Sequence, residues 1–381
     1  MVACNKIKRY AVTFGGFVRG LFSFTVLVSF VSVIVVVAQK AGACSAFLVK
    51  NSPSVVVVQN EDWDSGQGLI YINKRNVAKK ATLIWKQKSL EWVSLYMSAT
   101  VSQSGRDFPW QGMNEKGLSI NALQLLPSFV PPDSDPRPAV ELIQWIQYML
   151  DTSATVNDVI EKAKTIRVAR VNPIDQNNRP HTTVHYFVCD KSQSCALLEY
   201  IDEELVVHRT SADMPYAAIT NNTYVESIDY FQKLLSKSSE STILNNPSSA
   251  SLDRFSRSAI WSTNYYPLAN NEMRYAFSAL DNLAQKITVW SFAYQLQTQK
   301  ISFKTRSSSL VKTFDLKVFN PSCLDSVKIL DVNLAQGDDV TAAFRDYTEA
   351  DNQALVNKNT RMTDSVKTIM AQYPSTTRCL E

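Results

Sequence analysis

Histidine is nearly missing from this chain, with three in 381 residues. Neither the histidines nor the six cysteines fall into CxxC pairs or the short His/Cys spacings of metal sites, so no metal is read. Gly112 and Gly117 flank a turn-like segment and are read as turn-shaping rather than phosphate-binding, and no cofactor motif stands beside them. No internal repeat is visible. An excess of charge of one sign is also missing once the start of the chain is set aside. The formal charge of +4 and the pI of 8.6 come largely from Lys6, Lys8, Arg9, Arg19 and Lys40, which have no acid among them in the first 43 residues. Without those five, 34 basic side chains face 35 acidic ones. A near-neutral chain gives no electrostatic case for nucleic acid.

What is present is an ordinary globular composition: 45% hydrophobic and 19% charged residues, in a length that suits one large domain or two small ones. The first 43 residues read as a signal peptide. Basic residues come first, Leu21 to Ala38 is apolar apart from Ser and Thr, and Ala41-Gly42-Ala43 gives a small-x-small cleavage signal before Cys44. The expected address is secreted or periplasmic. An uncleaved anchor is one alternative, since the apolar run of about 18 residues just spans a bilayer. Lipidation of Cys44 is another, although Ala41 stands where a Leu would be usual. Membrane contact is expected only under those two alternatives. Cys4 leaves with the leader. Cys189 and Cys195 flank a short polar turn and would pair in an oxidising compartment, as would Cys323 with Cys379; four small buried hydrophobes are the equal alternative.

Past Cys44 the pattern alternates between strands and helices. Ala46 to Val49, Val55 to Val58, Leu69 to Ile72, Ala81 to Trp85, Trp92 to Met97 and Gly117 to Leu125 read as strands. Pro138 to Leu150 has apolar residues at helical spacing, and Thr155 to Asp158 looks like a capping box opening a helix through Lys164. Strands return at Thr183 to Val188 and Ala196 to Val207. A helix from about Val225 to Leu235 leads into the Ser-rich stretch Ser236 to Ser251, read as a mobile surface loop in the position of a lid. Arg254 to Leu283 reads as mostly helical, followed by strands at Thr288 to Leu296, Lys300 to Lys304 and Val311 to Val318. The tail 337–381 is polar and helix-prone, with Val340, Ala343, Phe344 and Tyr347 on one stripe. Strands at both ends with helical blocks between them predict an α+β, layered, single domain over 44–381.

A cysteine placed at a processed N-terminus is chemically unusual. Its α-amine has a pKa of about 7.7 to 8 and lies within one residue's reach of the thiol. Nucleophile and general base then belong to one residue, and no histidine is needed. His185 is read accordingly as a packed strand residue.

The residues in order also resemble a known family. Cys44-Ser45-Ala46-Phe47, the Asp62-Trp63 pair, and Gly112-Met113-Asn114-Glu115-Lys116-Gly117-Leu118 are similar to the choloylglycine hydrolase family, which holds bile salt hydrolases and penicillin V acylases. Leu150 to Asn157, Thr182-Thr183-Val184-His185, Ile219-Thr220-Asn221, Asp253 to Arg257 and Thr288-Val289-Trp290 follow in family order, from Cys44 to about Val332. The resemblance implies a four-layer αββα N-terminal nucleophile hydrolase sandwich. It implies Cys44 as nucleophile, Asp62 holding the α-amine, the Asn221 side chain and the backbone N–H of Gln124 as oxyanion donors, and Arg254 near the thiol. One departure stands out. The family has Arg three positions before the Asp, and here that position is Gln59, which should leave the thiol less acidic.

The expected function is an amidase cleaving a linear C–N bond of a small N-acyl compound through a Cys44 thioester. Conjugated bile acids, penicillin V and N-acyl homoserine lactones are the candidate substrates, with Trp63 and Trp110 as walls of an apolar acyl pocket. No cofactor and no metal are expected, and a homo-oligomer is left open. The alternative is an inactive anchored or lipidated binding protein on the same scaffold, with Gln59 as its main support.

Overall fold

Four valines in a row, Val55 to Val58, are buried to within 1% of full enclosure, and they show why the core is built from sheets. β-branched side chains suit a pleated surface enclosed on both faces. Each contributes roughly 1.5–3 kcal/mol when its side chain is fully buried. The computed structural model describes residues 44–49, 54–83, 88–125, 129–169, 183–263 and 272–381, all within the compact unit Lys40–Glu381. The leader, its cleavage signal and Trp85 lie outside the described residues. Among the described residues no helix is long and apolar enough to cross a membrane.

Two antiparallel sheets face each other. The six-stranded sheet has the order Ala218–Ile219, Ser45–Val49, Val56–Asp62, Thr288–Gln295, Lys300–Thr305, Ser308–Asp315. The nine-stranded sheet has the order Glu204–Arg209, Cys195–Ile201, Val184–Asp190, Leu118–Gln124, Gln111–Asn114, Ser98–Ser102, Leu69–Asn73, Lys328–Asp331, Arg345–Asp346. Helices Tyr224–Leu235, Ser251–Thr263 and Glu272–Leu283 lie on the six-stranded side, with Ser251–Thr263 against Ser45–Val49. Helices Gln144–Thr152 and Val156–Thr165 cover the other face of the nine-stranded sheet. The layers are therefore αββα.

Strand alternation divides the core accordingly. In Leu118–Gln124, Leu118, Ile120 and Ala122 join the cluster under Trp145, Ile146 and Met149, whereas Leu123 joins the inter-sheet cluster. Trp145 stacks on Tyr186 with ring centroids 3.9 Å apart. The turn Asn114 to Gly117 needs its glycine. Gly117 has φ +76°, and a Cβ there would lie 2.3 Å from the Leu296 carbonyl oxygen.

Several boundaries differ from the sequence expectation, for local reasons. Ala196 to Val207 is a hairpin, Cys195–Ile201 and Glu204–Arg209, because Asp202 and Glu203 both take positive φ and turn the chain. Ala81 to Leu83 forms no strand; Leu83 has φ +60°, and the pairing falls instead to Val77–Lys80 with Glu91–Val93. The Pro138 helix begins later, at Gln144, after a short strand Ala139–Glu141 that pairs in parallel with Arg167–Ala169. Ser98–Ser102 is a strand missed for its polarity. In the tail, helices Glu349–Asn357 and Asp364–Gln372 form, but the Val340 to Tyr347 stripe holds only a 3-10 turn, Thr341–Ala343, before Arg345–Asp346 pairs with Lys328–Asp331.

Both cysteine pairs are disulfides. Cys189 and Cys195 are directly opposed in register, and Cys323 joins Cys379 across 56 residues, bringing the tail back to Val77–Lys80. Gly117→Ala is expected to cost at least ~1 kcal/mol of stability through positive-φ strain and the carbonyl clash, measured by urea unfolding; an unchanged midpoint would contradict this account of the turn.

Candidate active site

Strand Ser45–Val49 sits inside the six-stranded sheet, with Ser45 opposite Asn60 and Ala46 opposite Gln59. Continuing that register by one residue sets Cys44 across from Glu61. Cys44 is 4% exposed and is the free cysteine among the described residues. Alternation then puts Cys44, Gln59 and Glu61 on the inter-sheet face, while Asp62 turns the other way. Asp62 accepts hydrogen bonds from the Thr288 hydroxyl and from Gln285 Nε2 at 2.8 Å.

Arg254 joins the pieces. It comes from the first turn of helix Ser251–Thr263 and is 1% exposed. Its Nη1 donates to the Cys44 carbonyl oxygen at 2.5 Å and to Ser45 Oγ at 2.8 Å. Its Nη2 donates to Asn221 Oδ1 at 2.8 Å, and its Nε to the Ser249 carbonyl at 3.1 Å. Burial lowers the guanidinium to about 10, with Asp62 and Cys44 opposing the shift, so it stays charged at neutral pH. Asn221 is thereby oriented: with Oδ1 on Arg254, its Nδ2 donates to the Gln124 carbonyl at 2.8 Å, using one of its two N–H groups. Leu125 N–H bonds Thr183 O at 3.0 Å, which makes Gln124 and Val184 a non-hydrogen-bonded pair and turns the Gln124 N–H away from Val184–Asp190.

The structure thus brings Cys44, Asp62, Asn221, Gln124 and Arg254 into one neighbourhood. His185 lies beside it as a brace. It is fully buried, with Nδ1 2.9 Å from Glu199 and Nε2 2.7 Å from the Thr220 carbonyl, next to Asn221. The Ser-rich stretch is fastened here rather than loose. It carries helix Glu240–Leu244, Arg257 donates to the carbonyls of Asn246 and Ser248, and Ser251 Oγ accepts from Asn221 N–H at 2.9 Å. By sequence this stretch reads as a mobile surface loop; the structure adds a helix and these anchors to it. Trp63 and Trp110 lie together with centroids 5.6 Å apart. Arg361 of the tail stacks over Trp63 at 4.0 Å and pairs with Asp64.

Glu61 is the residue that sequence reasoning missed. It is 2% exposed, accepts from Gln59 Nε2 at 2.9 Å, and lies across the strand pair from Cys44. Burial, then the Asp62 charge, push its carboxyl up to about 8. Asp62 is pushed up to about 6, mainly by burial. Burial, then Glu61 and Asp62, push the Cys44 thiol well up, while the Asp62 backbone N–H and Arg254 pull it down. The period-2 alternation of Val56–Asp62 was the available signal, since it puts position 61 on the same face as Gln59. Among the described residues no group of three or more His, Cys, Asp or Glu is arranged to hold a metal.

These carboxyls fix a stability trend. Glu61, Asp62 and, on the far side of the nine-stranded sheet, Glu141 (about 7) all bind protons more tightly folded than unfolded. The folded chain then holds extra protons between roughly pH 4 and 8, so that contribution is full at the acid end and is lost as pH rises through 6, 7 and 8. Glu141→Gln removes one of the three, and urea unfolding across this range should show a shallower fall than in the native chain. An equal slope would mean that Glu141 is not protonated in the fold.

Comparison with known proteins agrees with this geometry. Residues 44–329 match the family model described as linear amide C–N hydrolases, choloylglycine hydrolase family. A penicillin V acylase of Pectobacterium atrosepticum is 28% identical over 190 residues, which are 47% of this chain and 49% of the relative, so the chain spans about half the length of that relative. The penicillin V acylase structure from Agrobacterium tumefaciens aligns with TM-score 0.65 at 22% identity, over 80% of this chain and 98% of that one. A mutant conjugated bile acid hydrolase from Clostridium perfringens aligns with TM-score 0.59 at 17% identity, over 84% and 98%. At these identities the two structures establish the N-terminal nucleophile hydrolase fold. With the family model covering 44–329, the chain belongs to the linear amide C–N hydrolases of the choloylglycine hydrolase family.

Proposed function

We propose that this protein is an exported amidase whose nucleophile, Cys44, becomes the first residue of the mature chain when residues 1–43 are removed, leaving 44–381 as the working domain. The observation that carries this reading is the Arg254 fork. It grips the Cys44 carbonyl and the Asn221 side chain together, fixing nucleophile and oxyanion donor relative to each other. The two disulfides support an oxidising compartment, in keeping with secretion or the periplasm.

In the proposed reaction the freed α-amine, held by Asp62, takes the thiol proton, and sulfur attacks the amide carbonyl. The second N–H of Asn221 and the backbone N–H of Gln124 stabilise the tetrahedral oxyanion. The amine product leaves, and water activated by the same α-amine hydrolyses the thioester. Arg254 holds the Cys44 main chain still through both halves. The acyl group lies against Trp63 and Trp110, whose apolar faces suit the N-acyl compounds named by the relatives, penicillin V and conjugated bile acids; N-acyl homoserine lactones fit the same chemistry. A second reading, an inactive anchored or lipidated binding protein, draws on Gln59 in place of Arg and on the suppressed acidity of the thiol.

The intact mass of the exported protein separates these. A chain starting at Cys44 without lipid supports the amidase; a lipid adduct or a retained leader removes the free α-amine and favours the second reading. With a hydrolysed N-acyl substrate in hand, Cys44→Ala should abolish turnover. Asn221→Ala should lower kcat by ~10²–10³, the cost of one oxyanion donor. Near-normal turnover in either variant would rule out the assigned role.

A further inference from the structure

Glu61 and Gln59 form a polar chain across the gap between the two sheets. Cys44 and Glu61 face each other across the paired strands on the inter-sheet side, and Gln59 Nε2 donates to Glu61 Oε2 at 2.9 Å. Asn121 Nδ2, from the opposite sheet, donates to Gln59 Oε1 at 2.6 Å, and Ser119 Oγ donates to Asn121 Oδ1 at 3.1 Å. Gln59, Asn121 and Ser119 are all fully enclosed. The chain therefore runs from the nucleophile through Glu61 into the nine-stranded sheet, and each amide in it is used at both ends. Such bonding fixes which way Gln59 points: its oxygen is taken by Asn121, so its N–H group must face Glu61.

We propose that Glu61 is a catalytic residue, a second acceptor for the Cys44 thiol proton, held against the sulfur by Gln59 and Asn121. The proposal rests on Cys44 being the nucleophile. The step balances without an added reagent. The S–H bond breaks, an O–H bond forms on the Glu61 carboxylate, and the sulfur keeps the electron pair that attacks the carbonyl; net charge is unchanged. Glu61 differs from the α-amine in one respect: it is in place whether or not the leader has been cut.

The groups facing the pair come from each packed element. Asp62 neighbours Glu61 on its own strand, Arg254 reaches in from helix Ser251–Thr263, and Tyr294 faces Glu61 from strand Thr288–Gln295. The nine-stranded sheet contributes the neutral Asn121. One cation therefore meets two acids and a thiol. Glu61 rests mostly protonated at neutral pH and ionises near pH 8, where it becomes able to accept the thiol proton. Because the two groups interact strongly, their protons leave in steps that belong to the pair.

The test measures alkylation of Cys44 by iodoacetamide as a function of pH, read on the Cys44 peptide by mass spectrometry, in the native protein, Glu61→Gln and Glu61→Met. Hydrolysis of an N-acyl substrate is followed in parallel. The native profile should rise in two steps. Both variants should rise in one, with the midpoint moved down by about one pH unit, or tenfold in rate on the rising limb. In hydrolysis Glu61→Gln should lower kcat, lose the limb near pH 8 and leave KM unchanged. Alkylation profiles that superimpose on the native one in both variants overturn the proposal, even if Cys44→Ala is inactive and the amidase reading stands. Shifted alkylation profiles with hydrolysis that survives in Cys44→Ala leave the Cys44–Glu61 pair intact as a proton-sharing unit, but overturn both its catalytic use and the amidase reading. If one variant fails to fold, the other decides.

Discussion

The guanidinium of Arg254 is the point on which the site depends. It is enclosed by protein and donates to four acceptors from three separate stretches of chain: Cys44 and Ser45, Asn221, and Ser249. Arginine suits the task because its donors lie in a rigid plane and the charge survives burial. Among the described residues no carboxylate pairs with it directly; main-chain and neutral oxygens satisfy it instead, with Asp62 acting from a distance. Removing the fork would leave those oxygens buried without donors, a cost larger than the bonds were worth. The strand carrying Cys44, the turn carrying Asn221 and the end of the Ser-rich stretch are therefore one mechanical unit.

Around that unit the polar groups are unevenly spread. Near the Cys44 thiol, two acids and one cation share a buried space, and the result is a thiol held well above its ordinary range beside two raised carboxyls. Elsewhere a buried cluster pairs its charges in direct contact. Lys79 lies 2.6 Å from Asp107 and 2.9 Å from Asp151, and Trp92 Nε1 donates to Asp151 at 2.8 Å. That cluster ties the small Val77–Lys80 sheet to helix Gln144–Thr152. The tail continues the bracing. Asn352 accepts from the Arg106 N–H at 2.8 Å, and Arg361 covers Trp63, so residues beyond the family match reach the rim of the aromatic pair.

Much of this was legible because strands leave strong local marks. The valine run, the capping box at Thr155 and the glycine-closed turn at Gly117 each carry their conformation in a few residues. Cys44 and Asp62 were paired through the family resemblance, and the departure at Gln59 was visible as a letter. Its consequence was not, since it depends on Asn121 from the opposite sheet, 62 residues away. Glu61 was hidden for a related reason: beside an Asp it reads as one more strand-end acid, and only the Ser45–Asn60 register sets it across from Cys44. The hairpin at Asp202 and Glu203 escaped because no Gly or Asn marks it and a Glu at positive φ is not a usual turn former. The Ser-rich stretch looked loose by composition, yet its anchors are carbonyl oxygens, which every residue type has.

The place of Ser45–Val49 in its sheet has a further result. The strand is bonded on both edges, to Ala218–Ile219 and to Val56–Asp62. An exopeptidase must draw an extended end away from its surroundings to grip it, and a strand zipped along both sides cannot be drawn out without unzipping the sheet. If residues 1–43 are removed as proposed, trimming from the N-terminal side would halt where the pairing begins, and the fold itself would keep the register of the new terminus against over-digestion.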